Sequence, residues 1–186
     1  MGNMLQINVS QQLKAPIGST RDYEVSGDVT INGSNKTVSG KVRLMRTDNG
    51  ILTRGTLLGA SEATCSRCVS LFDYPLSLSL EEEYFPTTDI VNDAPLPEPE
   101  DPDCFTIDEH NTIDLTEAIR QYALLAIPMK PLCRQDCAGL CPVCGINLNQ
   151  ASCDCPREPA DPRWSELRKL VLTDTNVTVK EQEGMD

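Results

Sequence analysis

Eight of the nine cysteines in this chain fall into four close pairs: Cys65-Ser-Arg-Cys68, Cys133 with Cys137, Cys141-Pro-Val-Cys144, and Cys153-Asp-Cys155. The ninth, Cys104, has no cysteine near it and reads as an ordinary free thiol. Paired thiols can form disulfides, run redox chemistry or hold a metal. Disulfides fit poorly with an odd count and with a start, MGNMLQINVS, that lacks the basic and apolar regions of a secretory leader. Redox catalysis wants a nucleophilic thiol at a helix N-terminus, usually in a βαβ unit. Cys65-Cys68 instead follows an expected strand, and Cys141-Cys144 lies in a loop punctuated by Gly and Pro.

Metal binding fits best. Two thiolates separated by two residues grip one tetrahedral ion from a tight turn. Gly145, after Cys144, supplies a position with no Cβ where such a turn benefits from positive φ. Four thiolates close a structural Zn²⁺ site and leave no position for a substrate. The expected ligands are four of Cys133, Cys137, Cys141, Cys144, Cys153 and Cys155, with Cys141 and Cys144 first. The Cys153 and Cys133 pairs compete to complete the set. Cys65 and Cys68 either form a second site with the pair left over or stay free of metal. Iron–sulfur ligation is the alternative metal chemistry.

Other chemistry has little to use. The one histidine, His110, lies in a polar stretch, so no Ser-His-Asp set can be built without it. The zinc-deaminase order H-x-E, then P-C-x-x-C, is missing: Asp108-Glu109 precede His110 and Leu140 precedes Cys141. Neither a Walker A loop nor G-x-G-x-x-G occurs.

These thiols must be positioned by a core, and the 186 residues are enough for one domain with a small appendage. QINV, DYEVSGDVTI, TVSGKVRLMR and ILTRGTLLG alternate or are β-branched, and LSLSLEEEYF alternates from Leu76 to Leu80. Asp48-Asn49-Gly50 signals a hairpin. These runs predict an antiparallel sheet over 1–86 that ends after the C-x-R-C motif and one further strand. Residues 87–112, rich in Pro and acid, read as a solvated linker or long loop. Next come a helix, the cysteine-rich zinc-binding segment and a short C-terminal helix over 113–172, and a tail over 173–186. The first helix is expected to start at Asp114 with Glu117 completing a capping box, to bury Leu115, Ile119, Tyr122 and Ala126, and to stop at Pro128. The last helix is expected to start at Asp161-Pro162, with Trp164 and Leu167 on its apolar stripe. The fold class is therefore α+β.

Net charge is −12, so the chain has no global attraction for phosphate backbones or anionic membranes. The charge is segregated. Between Lys36 and Arg67 six bases meet only two acids, whereas 68–119 holds 14 acids and neither Lys nor Arg. Lys41 and Arg43 share one strand face, opposite Val42 and Leu44. Such a row is either a solvated outer face or a basic binding face. On the second reading Lys41, Arg43, Arg46, Arg54 and Arg67 contact RNA. No apolar run is long enough to span a bilayer, and the expected location is the cytoplasm.

The stretch "GILTRGTLLGASEATCSRCVSLFDYPLSLSLEEEYF", with Cys65, Arg67 and Cys68 as a C-x-R-C motif, resembles the central segment of the YceD family of large ribosomal RNA subunit accumulation proteins. "IDLTEAIRQYALLAIPMKPLCRQDCAGLCPVCGINLN" is similar to the following helix and the cysteine-rich tail of many bacterial and plastid members. Some members lack that tail, so the shared function does not depend on it. The resemblance implies a non-catalytic role in synthesis or accumulation of large-subunit rRNA. The implied partner is the rRNA precursor or a ribosomal protein, with neither a membrane nor a small-molecule substrate. It supplies no ligand assignment, so the zinc expectation rests on spacing. A thiol-based redox enzyme or sensor using the C-x-x-C cysteines is the competing function.

Overall fold

The computed structural model describes residues 4–90, 92, 94–97 and 104–156. Four long strands follow one another as an antiparallel meander: β2 (Thr20–Ile31), β3 (Ser34–Arg46), β4 (Ile51–Thr64) and β5 (Leu71–Pro86). A short β6 (Phe105–Ile107) adds to β5 in parallel, for the order β2-β3-β4-β5-β6. β1 (Gln6–Asn8) pairs antiparallel with β7 (Thr112–Asp114) in a separate two-stranded sheet. A four-residue turn of helix, α1 (Ser10–Leu13), follows β1, and α2 (Thr116–Ala126) follows β7.

The alternation in the sequence sets the faces, because successive strand residues point to opposite sides. On β5, Leu76, Leu78, Leu80 and Tyr84 are buried while Ser77, Ser79 and Glu81 are exposed. On β3, Val42 and Leu44 are buried and Lys41 and Arg43 point to solvent. The buried side is closed by Leu5 and Ile7 of the N-terminal segment and by Leu115, Ala118, Ile119 and Ala123 of α2. The helix packs on β5 and β2, so sheet and helix share one core. Full burial of each leucine, isoleucine or valine side chain contributes about 1.5–3 kcal/mol.

The hairpin expected at Asp48-Asn49-Gly50 forms between β3 and β4, through a four-residue connection, Thr47–Gly50, between paired Arg46 and Ile51. The two-residue hairpin turn is Asn32-Gly33, both with positive φ as an Asn-Gly turn of this length requires. The capping box does not form. Asp114 Oδ1 accepts the Thr116 N–H at 2.8 Å, but Glu117 is taken by the Arg120 guanidinium and by Gln121. An arginine three residues on outcompetes a backbone amide for that carboxylate. On α2 the buried row is Leu115, Ala118, Ile119 and Ala123; Tyr122 is half-buried and Ala126 exposed, because the chain turns extended at Ile127. Within 87–112, β6 and the first residue of β7 are strand, and Ile107 docks on the core despite the surrounding acids. The helix expected from Asp161 lies outside the described residues. Among the described residues no helix is long and apolar enough to cross a membrane.

Candidate metal centres

The loop between β4 and β5 is Cys65–Ser70. The Cys65 N–H donates to the Ser70 carbonyl and the Val69 N–H to the Cys65 carbonyl, both at 2.9 Å. The loop Cys141–Ile146 repeats this pattern. There the Cys141 N–H donates to the Ile146 carbonyl at 2.8 Å and the Gly145 N–H to the Cys141 carbonyl at 2.9 Å. In both, the residue after the second cysteine is left-handed, Val69 at φ 58° and Gly145 at φ 74°. The two C-x-x-C turns are thus the same knuckle. One carries the residue that conformation favours, and the other a β-branched residue for which it is strained.

Each knuckle faces a second pair of cysteines. Cys65 and Cys68 meet Cys133 and Cys137, while Cys141 and Cys144 meet Cys153 and Cys155; within each group all four sulfurs lie within 4.8 Å of one another. In the first group Cys65 and Cys137 sulfurs are 3.8 Å apart and Cys68 and Cys133 sulfurs 3.7 Å. A disulfide brings sulfurs to about 2.05 Å. Four thiolates about 2.3 Å from a central ion stand about 3.8 Å apart along each tetrahedral edge. The donor set and its spacing therefore fit one tetrahedral ion per group, with no coordination position left open. The first group is the more enclosed: Cys65, Cys68 and Cys137 are buried among Phe72 and Leu132, whereas Cys144 of the second is exposed.

The first group joins segments 65 residues apart in the chain, and backbone bonds hold the join. Ser66 N–H reaches the Pro131 carbonyl at 2.8 Å, and Leu140 N–H reaches the Arg67 carbonyl at 3.1 Å. The Arg67 guanidinium donates to the carbonyls of Cys137 (3.1 Å) and Gln135 (3.3 Å). Gly139, at φ 77°, passes so close that a Cβ there would lie 3.2 Å from the Arg67 carbonyl oxygen.

The thiols of each group are driven apart in acidity. Backbone amides of Cys133 and Cys68 pull the Cys65 thiol down to about 6. Ser70, through its hydroxyl and backbone, lowers Cys68. Burial, then the facing Cys65, pushes Cys133 up to about 12. In the second group the amides of Cys144 and Val143 bring Cys141 down to about 6, while the Cys144 thiol and then burial push Cys155 up to about 12. Crowded thiols resist joint ionisation, and a bound cation is what lets all four carry charge together.

Of the alternatives that the spacing left open, the structure shows the one in which Cys65 and Cys68 gather with the tail pair left over from the Cys141 group. Cys133 and Cys137 are drawn to Cys65 and Cys68, and Cys153 and Cys155 stay with Cys141 and Cys144. Cys104 joins neither group. The five bases divide. Lys41, Arg43 and Arg54 line a shallow groove of about 800 Å³ on the solvent face of the sheet, paired with Glu24 (3.3 Å), Asp22 (2.6 Å) and Glu81 (2.6 Å). Arg46 donates to the Gly50 carbonyl and Arg67 to the tail, so both guanidiniums serve the protein's own backbone. Sequence reasoning passed over Val69, Gly139, Asn147 and Asn149. The last two follow the tail knuckle as an N-x-N pattern that carries no recognised signal on its own.

A five-stranded sheet backed by a helix, with eight cysteines gathered into two four-sulfur groups, defines the class of protein: a β-rich domain with two cysteine clusters, each able to hold a metal ion. Residues 53–171 match the family described as large ribosomal RNA subunit accumulation protein YceD. The chain belongs to that family. It is 33% identical over 130 residues to the uncharacterized protein Rv2926c of Mycobacterium tuberculosis, covering 70% of this chain and 60% of that relative. It is 31% identical over 121 residues to the uncharacterized protein YlbN of Bacillus subtilis, covering 64% of this chain and 65% of YlbN. It is also 39% identical over 62 residues to the chloroplastic YCED homolog 1 of Arabidopsis thaliana, named as a large ribosomal RNA subunit accumulation protein, across 33% of this chain and 19% of that protein. The chain thus spans about 60% of the length of the mycobacterial relatives it matches. No solved structure matches it.

Proposed function

We propose that this chain is a non-catalytic factor supporting accumulation or assembly of the large-subunit rRNA, held in shape by two structural zinc ions. The observation that carries the reading is that the segment matching the family, 53–171, contains both closed four-sulfur groups. Zinc is the ion of choice for four thiolates at single-ion spacing; an iron–sulfur cluster would hold its ligands further apart around several irons. A four-thiolate zinc has no open position for substrate or water, which supports a structural role over an enzymatic one. The same closure counts against the redox reading, since metal-bound thiolates in opposed pairs are not poised for disulfide exchange.

The partner we propose is precursor rRNA, met through its phosphates by Lys41, Arg43 and Arg54 in the groove. Arg43 and Arg54 stand directly opposite each other on β3 and β4. Their carboxylate partners are exposed, and such pairs contribute about 0–1 kcal/mol, so phosphate can displace them. On this reading the protein acts in the cytoplasm, on nascent subunits. The test is a strain carrying Arg43→Glu with Arg54→Glu, profiled on sucrose gradients. The expected result is loss of co-migration with large-subunit precursors while zinc content and circular dichroism stay unchanged. Unchanged co-migration refutes the groove as the contact and favours a basic ribosomal protein bound to acidic surface.

A further inference from the structure

We propose that Asn149 is a positioning residue that couples the two four-cysteine groups: its side-chain amide, set by the chain that folds around the tail knuckle, aims an N–H at the Cys137 sulfur of the other group, so that metal bound in either site raises the affinity of the other. The inference rests on the metal-binding reading above and concerns what links the two centres.

The amide of Asn149 has two N–H donors and two acceptor positions, and all four are engaged. Nδ2 donates to the Cys137 sulfur at 3.3 Å and to Asn147 Oδ1 at 2.8 Å. Oδ1 accepts the Ala138 N–H at 2.9 Å and the Arg134 guanidinium at 2.6 Å. The reversed amide is excluded by this set: it would point donors at a guanidinium and a backbone N–H, and an oxygen at a thiolate. The bond to Cys137 is therefore directional. It also suits a metal-bound thiolate, because a zinc held by four thiolates carries a net charge of about −2 and N–H donors disperse it.

Asn149 lies between the tail knuckle and Cys153, and that stretch is stitched to the first group's surroundings at two further points. Leu148 N–H donates to the Gly139 carbonyl at 2.9 Å, and Asn147 Nδ2 donates to the Ser70 hydroxyl at 3.2 Å, while the Leu140–Asn147 β-bridge closes the tail knuckle itself. Ser70 is the residue whose carbonyl closes the Cys65 knuckle. Filling the tail site fixes 141–155, which seats Asn147 and Asn149 against the first group. Filling the first site fixes Cys137 and Ser70, which seats the same asparagines from the other side.

The test uses the full chain, stripped of metal under reducing conditions and reloaded with zinc against a chromophoric chelator, with cadmium NMR reporting each four-thiolate site by its own resonance. Asn149→Asp keeps the size and the acceptor to Ala138 but replaces the donor to Cys137 with a carboxylate oxygen. The expected result is a roughly 10- to 100-fold loss of affinity at the first site, the scale for losing a bond to a metal ligand, with a shifted Cys137-bound cadmium resonance and unchanged far-ultraviolet circular dichroism. Removing the tail site with Cys153→Ser and Cys155→Ser should weaken the first site by a similar factor. Asn149→Asp added to that background should then cost little more. By reciprocity, Cys133→Ser should weaken the tail site by the same factor as the tail site's removal weakens the first. Unchanged first-site affinity and resonance in Asn149→Asp, or losses that multiply as independent effects, overturn the coupling and leave the two-zinc reading standing. A wild-type chain that binds fewer than two metals overturns that reading itself.

Discussion

Gly145→Val isolates the backbone requirement of the tail knuckle. Gly145 sits at φ 74°, and a Cβ built there meets nothing within 4 Å. The added Cβ therefore meets no neighbour, and the main cost is that of holding a β-branched residue in a left-handed conformation. That cost is about 1–3 kcal/mol. Because the knuckle hydrogen bonds form only in that conformation, the penalty falls on metal binding. At about 1.4 kcal/mol per factor of ten it weakens the tail site by roughly 5- to 150-fold. Gly145→Asn, which tolerates the conformation better, should lose much less. The converse change is Val69→Gly at the matching position. Val69 is 62% exposed, so little buried surface is lost. Relief of the strain at φ 58° outweighs the added freedom of a glycine in the unfolded chain, about 0.5–1 kcal/mol, and the first site should tighten slightly or hold level. Zinc competition on the four proteins measures all of this. A Gly145→Val chain that holds its second zinc as tightly as wild type would refute the shared-knuckle geometry.

Cys141→Ser should expose 141–155 to limited proteolysis while the strands of 20–86 stay protected, because their core does not draw on the tail. Cys133→Ser should in addition free the segment after Pro131 from the Cys65 loop, and the new cleavage sites read by mass spectrometry distinguish the two. Arg67→Gln removes the guanidinium bonds to the carbonyls of Gln135 and Cys137, at a cost of about 1–3 kcal/mol. It should speed release of the first zinc. If instead it only weakens RNA association with zinc release unchanged, Arg67 is a nucleic-acid contact and not a brace.

The sheet was legible because its strands alternate cleanly. Leu76, Leu78 and Leu80 declare a buried face, and the same rule placed Lys41 and Arg43 outside. The tail knuckle was legible from Cys-Pro-Val-Cys-Gly. Its twin was harder to read, because Val69 stands where the glycine signal belongs. The grouping of Cys65 and Cys68 with Cys133 and Cys137 was left open as one alternative among several. Local spacing ranks neighbours in sequence, whereas this grouping depends on the meander ending its β4–β5 hairpin where the chain passes after α2. The capping box misled because pattern alone does not show that Arg120 captures Glu117. Ile107 went unnoticed among the acids of 87–112, although the core claims it. The basic row was read correctly as exposed, but its cross-strand partners Asp22, Glu24 and Glu81 come from strands whose register the sequence does not state.

On the proposed reading, eight cysteines hold two zinc ions per chain. Native mass spectrometry of protein purified from zinc-supplied cells, paired with elemental analysis and thiol titration before and after chelation, tests it directly. Binding free energies for structural zinc of about 10–16 kcal/mol mean that both ions survive dialysis. The expected result is two zinc ions per chain, with eight thiols becoming reactive on chelation while Cys104 reacts beforehand. A folded chain carrying no metal, or one in which the eight thiols react freely before any chelator is added, contradicts it.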